Sequence, residues 1–301
     1  MRKPGKRRFT FGMTVAITLF FLVMAVSVSY VGITSKIWSG GDPLTALDVS
    51  AVPRSVIEDA GRVASALFSD EREQDAEYEN QLLATYLEAK DRDFVVFFNP
   101  GGWGWNLITA SPGWSSIITG IKSELTYTGY DPLLLNYHRT KNTLRGRLHE
   151  MVEMSTGYSS KANQLAHEIQ FLIRHIPDLK VLITGESNGT IISDQAMRIL
   201  VHSPQVYSIQ TGTPFWHDSV ALERTLVLNS NGITPDSFSR GDFMAMVRAN
   251  VKTLMGATLP KEQSGTIGNF IKAPGHDYRW QYPGVYPRII EFLNKNFGAK
   301  W

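Results

Sequence analysis

The sequence predicts an α/β domain built on a mainly parallel sheet flanked by helices, with a transmembrane helix ahead of it. Three observations carry that prediction. From Asp93 onward short apolar runs alternate with helical spacing; the run 180–184 opens into Gly185-Glu186-Ser187-Asn188-Gly189; and residues 9–35 contain no charge. Continuous apolar runs are the mark of strands buried on both faces, and strands that alternate with helices imply parallel crossover units.

Composition narrows the class. The 301 residues are 43% hydrophobic and 19% charged, which suits one globular core with appendages. Net charge is +2, but Arg2, Lys3, Lys6, Arg7 and Arg8 hold five positive charges, leaving −3 on residues 9–301. A basic footprint is missing, so no nucleic-acid partner is expected. With no cysteine, disulfides, thiolate metal sites and a cysteine nucleophile are excluded.

Residues 1–10 read as a basic cytoplasmic tail, and 11–34 as a signal-anchor helix long enough to cross a bilayer. The preceding basic cluster places the amino terminus in the cytoplasm and the rest of a single-pass chain outside it. Ala25-Val26-Ser27 and Ser27-Val28-Ser29 keep open the alternative of a cleaved signal peptide and a secreted product. Residues 35–92 form a linker, with Gly40-Gly41-Asp42-Pro43 and Pro53, followed by a helical segment. Ile57, Ala60, Val63, Ala64 and Leu67 recur at helical intervals behind a capping box at Ser55, and Leu82, Leu83, Tyr86 and Leu87 indicate a second helix.

The catalytic domain is expected over 93–301. Phe94-Val95-Val96-Phe97-Phe98 is the first strand and runs into Asn99-Pro100-Gly101-Gly102-Trp103-Gly104-Trp105. Three glycines in four positions let the backbone turn sharply and bring its N–H groups close to a ligand. A helix follows Ser111-Pro112, residues 132–137 form the next strand, 162–176 an amphipathic helix, and 180–184 the strand into Ser187. Gly-x-Ser-x-Gly between a strand and a helix is the pattern of a nucleophile elbow, which lifts a serine hydroxyl clear of the sheet. Three more apolar runs, at 206–210, 225–228 and 269–272, complete a reading of six strands, with helices at 242–255 and 285–297.

Two residues past Ser187 are candidates for an acid and a base. Asp236 lies on the loop after the second strand past Ser187, with Asp242 in reserve; His276, in Pro274-Gly275-His276, ends the last run. His217 comes one strand early and His202 at a helix end. Over about residues 93–301 the chain resembles the α/β-hydrolase superfamily, on Asn99 to Gly104, Gly185 to Gly189, Asp236 and His276. The resemblance implies a Ser187, Asp236, His276 triad, with Gly102 or Trp103 giving one oxyanion donor and Asn188 the other. Residues 54–92 depart from it, reading as helix where the family usually has two strands, and the loop has Asn99-Pro100 where many members have His-Gly.

The implied reaction forms an acyl-enzyme at Ser187 with neither a metal nor an organic cofactor. Trp103 and Trp105, on the oxyanion loop, are the expected substrate-binding residues, and Trp114, Trp216 and Trp280 also fall near the expected site face. The expected activity is a membrane-anchored ester hydrolase acting on a small-molecule or lipid ester. The alternatives are a serine peptidase, amidase or acyltransferase on the same fold, or a non-catalytic binding protein. Oligomeric state is not legible.

Overall fold

The computed structural model describes residues 49–68, 72–104, 108–137, 144–220, 222–256, 265–267 and 271–298, within the unit Leu47–Trp301. Its frame is five strands: β1 (Phe94–Asn99), β2 (Pro132–Asn136), β3 (Lys180–Glu186), β4 (Val206–Thr211) and β5 (Thr225–Leu228). All pair in parallel, in the order β2-β1-β3-β4-β5.

β1 is buried along its whole length, and its alternating side chains feed two cores. Val95 and Phe97, with Val181 and Ile183 of β3, pack against α1 (Arg54–Phe68), α2 (Arg72–Ala89), α5 (Ser159–His175) and α6 (Asn188–Ile199). Phe94, Val96 and Phe98, with Leu182 and Ile209, pack against α3 (Pro112–Tyr127) and α8 (Tyr286–Phe297). Burial of β1 on both faces accounts for its unbroken apolar run.

The chain leaves β1 toward one edge to make β2, then crosses back to make β3 on the other side of β1. That reversal is a topological switch point, where the loops after neighbouring strands part and leave a crevice. Here the switch point falls between the loop after β1 and the turn after β3, which the register Asn99↔Gly185 sets side by side. A parallel sheet flanked by helices, in this order, resembles the α/β-hydrolase fold.

Four expectations are corrected. Of the run at 269–272, the described part does not join the sheet: among the described residues β6 (Thr266–Ile267) and β7 (Ile271–Lys272) pair antiparallel as a separate two-stranded piece. A short apolar run has the same pattern in a buried strand and in a hairpin arm. Between the strand at 132–137 and the helix expected at 162–176, where the sequence predicts no element, lies a helix, α4 (Leu144–Ser155). α1 begins ahead of the expected Ser55 cap, because Pro53 O accepts the N–H groups of Val56 and Ile57. Finally, no helix among the described residues is long and apolar enough to cross a membrane. Residues 11–34, read as the anchor, and the tail 1–10 lie outside the described residues. The fold class is therefore stated without a transmembrane helix, and the membrane partner, single-pass topology and extracytoplasmic placement drawn from it no longer stand.

One buried group ties the helical segment to the domain. Glu168 of α5 is 2% exposed and accepts hydrogen bonds from Thr85 Oγ1 at 2.8 Å and Gln81 Nε2 at 2.9 Å, both on α2. Burial pushes its carboxyl from 4.5 up to about 7, against those two bonds. The folded state thus binds this proton more tightly than the unfolded chain. Stability from this group is fully present below pH 4.5 and is lost as pH rises toward 7, by about 3 kcal/mol. Glu168→Gln is expected to abolish that decline and to exceed wild-type stability at pH 8, as read from urea midpoints at pH 5 and pH 8.

Candidate active site

Ser187 sits between the last residue of β3 and the first of α6, with φ 50° and ψ −119°. Tyr158 and Ser187 are the non-glycine residues with positive φ among those described. Such a conformation costs on the order of 1–3 kcal/mol and persists only where the surroundings impose it. They do so here. Ser187 N–H donates to Thr211 O at 3.0 Å, and Ser187 O accepts from Thr190 N–H at 2.9 Å and Thr190 Oγ1 at 2.7 Å.

The flanking glycines are fixed by close approach. A Cβ on Gly189 would stand 2.3 Å from Asn99 O, and one on Gly185 would meet Ser193 Oγ at 2.8 Å and Gly189 O at 2.9 Å. β1 and α6 can therefore converge on the turn only if both positions lack a side chain.

Asp236 is fully buried and saturated with donors. Its Oδ1 accepts the N–H groups of Phe238 at 2.9 Å and Ser239 at 3.0 Å. Its Oδ2 accepts Ser239 Oγ at 2.9 Å, Tyr278 OH at 2.7 Å and His276 Nδ1 at 2.8 Å. Burial alone would push this carboxyl up; the charge and hydrogen bond of His276, with the other donors, hold it below its ordinary value. An ionised Asp236 fixes the imidazole tautomer with the proton on Nδ1, leaving Nε2 to take up and return a proton.

The loop after β4 brings this pair toward the serine. Thr211, which accepts Ser187 N–H, is followed by Gly212 at φ 67°, where a Cβ would lie 2.7 Å from His276 Cε1. Beside His276 stand Phe238, with ring centroids 5.0 Å apart, then Trp216 at 5.3 Å from Phe238 and Phe215 at 4.9 Å from Trp216. Phe215 and Trp216 are exposed, so this flank of the site is apolar and open.

On the other side, the loop after β1 turns through Gly102 at φ 58° and Gly104 at φ 80°. Asn188 Nδ2 reaches Gly102 O at 3.5 Å, and Asn188 itself opens α6, where backbone N–H groups favour negative charge. Trp103 is half-buried on this loop; Trp105 lies outside the described residues. Thus the structure places Ser187, Asn188 and Gly102 around one turn and pairs Asp236 with His276. Among the described residues no hydrogen bond joins Ser187 Oγ to His276. In free enzymes such contacts commonly close only when substrate arrives.

Asp242, His217 and the neighbouring acidic and tryptophan side chains have other partners. Asp242 caps α7 (Phe243–Leu254) by accepting Ala245 N–H at 3.0 Å, the ordinary work of an aspartate ahead of a helix. His217 Nε2 pairs with the buried Asp194 at 3.0 Å, and Asp194 also takes Arg198 at 2.9 Å. Asp277 accepts from Tyr282 OH at 2.9 Å and Arg279 Nε at 3.2 Å. Trp114 is buried and spends its Nε1–H on Thr211 Oγ1 at 3.0 Å; Trp280 packs on Gly120, where a Cβ would strike its ring.

Tyr278, Ser239 and Glu186 escape a reading of the sequence. Ser239, three residues after Asp236, repeats the spacing of a local side-chain turn and was the one recoverable signal.

No protein-family model matches the chain, and no curated protein matches it. Among solved structures, Trichoderma reesei cutinase in complex with a C11Y4 phosphonate inhibitor aligns over 60% of this chain and 77% of its own, at 11% identity and a TM-score of 0.30. A likeness that low carries no argument; the structure itself shows a parallel sheet flanked by helices, resembling an α/β-hydrolase fold, with the Ser187 turn at its β1/β3 switch point and Asp236 paired with His276.

Proposed function

We propose that the chain is a serine hydrolase that transfers an acyl group from its substrate to Ser187 and then to water. The observation that carries this reading is Ser187 itself, held at φ 50° where a strand meets a helix at the switch point. Strain kept at one serine, when glycine would relieve it, favours a role for its hydroxyl.

His276 Nε2 takes the Ser187 proton as Oγ attacks the acyl carbon, and Asp236 stabilises the imidazolium through Nδ1. The oxyanion that forms is bound by N–H groups of Asn188 and of Gly102 or Trp103. The imidazolium then gives its proton to the leaving group, and the same nitrogen activates the water that frees the acid. The membrane-anchored version of this activity is not carried forward, since its anchor falls outside the described residues.

Rapid mixing with p-nitrophenyl acetate tests the reading. The expected result is a burst of p-nitrophenolate close to one per protein, followed by slower turnover, with p-nitroanilides run in parallel to divide ester from amide chemistry. Folded protein that turns over neither substrate class would contradict it.

A further inference from the structure

Glu186 fills the variable position before Ser187, where the chemistry of acyl transfer calls for no carboxylate. Its side chain nevertheless ties three segments together. Ser111 Oγ donates to Oε2 at 2.9 Å and lies 3.0 Å from Oε1, and Gly101 N–H donates to Oε2 at 3.3 Å. Packing is equally close: a Cβ on Gly101 would stand 3.2 Å from Glu186 Cγ and 3.3 Å from Ser187 Cβ. Ser111 occupies the N-cap position of α3, yet its hydroxyl makes no capping bond. A serine there ordinarily caps its helix, so the contact with Glu186 displaces one that the sequence would otherwise supply.

The surroundings of the carboxyl are complete. Ser111 faces it from α3, Gly101 from the loop after β1, and His276 and Asp277 act on it through their charges from the loop after β7. Burial pushes the carboxyl up, and the donors from Ser111 and Gly101 oppose that. Its hydrogen-bond donors are thus a hydroxyl and a backbone amide, both belonging to segments that border Ser187.

We infer that Glu186 is a positioning residue: by accepting from Gly101 and Ser111 it anchors the loop 99–104 against Ser187 and so sets where the oxyanion donors stand. The left-handed turn at Gly102 follows directly on that anchor, so the placement of the Gly102 and Trp103 amides depends on it. This rests on Ser187 as the nucleophile, and its test is chosen to separate the two.

The test reads two properties of full-length variants: amide hydrogen exchange at Gly101 to Gly104, and steady-state ester turnover. Glu186→Ala is expected to speed exchange at Gly101 about tenfold and to lower kcat about thirtyfold, with KM within about threefold. Glu186→Gln is expected to stay within about threefold of wild type in both, because its carbonyl accepts from Gly101 while its amide donates to Ser111 Oγ, which both donates and accepts. Ser111→Ala, which keeps the backbone and the carboxyl, carries the same test with a smaller loss should Glu186→Ala fail to fold. Exchange at Gly101 unchanged in Glu186→Ala, or Glu186→Gln as impaired as Glu186→Ala, would overturn the assignment. Absence of turnover in the wild type counts against Ser187, whereas unchanged exchange counts against Glu186 alone.

Discussion

Ser187→Ala is expected to lower kcat for ester turnover by about 10⁴-fold or more while leaving the fold intact. The residual rate would come from the oxyanion donors and from binding, neither of which the substitution touches. Removal of Oγ leaves the backbone bonds of this turn, from Ser187 N–H to Thr211 O and from Thr190 N–H to Ser187 O, as they are. The loss therefore belongs in kcat, with unfolding midpoints near wild type, and parallel stopped-flow and urea measurements check both halves. His276→Ala combined with Ser187→Ala is expected to cost little beyond the single change, because the two act as one unit.

Gly189→Ala is expected to produce the second large effect, this time through packing. Its Cβ would lie 2.3 Å from Asn99 O, and 2.9 Å from both Asn99 C and Pro100 O. These are backbone atoms at the end of β1, so no side chain can swing aside, and either α6 or the loop after β1 must move. Overpacking of this kind costs about 3 kcal/mol. Because the displaced loop carries Gly102 and Trp103, activity falls further than stability does. A chemical melt and turnover of the fraction that stays folded measure the two separately; wild-type values for both would mean that α6 and β1 are not locked at this contact.

Much of this arrangement was legible because the physics is local. Strands buried on both faces carry unbroken apolar runs, and 94–98 and 181–183 supply them. The glycines around Ser187 follow from a strand and a helix meeting at a sharp turn. Asp236 and His276 follow from the chain order that the resemblance implies, and the structure pairs them at 2.8 Å while the reserve acid Asp242 caps a helix.

What stayed hidden depends on contacts between residues far apart in the chain. Glu186 meets Ser111 across 75 positions, and Tyr278 meets Asp236 across 42, distances over which no periodicity or spacing operates. The run 269–272 reads as a sheet strand because a short apolar run has one appearance and two uses; its described part, β7, pairs with β6 instead. Composition of the first 35 residues suggested a membrane helix by length and charge alone, and among the described residues no helix is long and apolar enough to cross a membrane.

The central claim is that Ser187 is the nucleophile, and covalent capture tests it most directly. Folded protein treated with a fluorophosphonate is expected to gain one adduct, mapped by peptide mass spectrometry to Ser187 and absent from Ser187→Ala. An adduct on any other residue, or none on the folded wild type, would contradict the account.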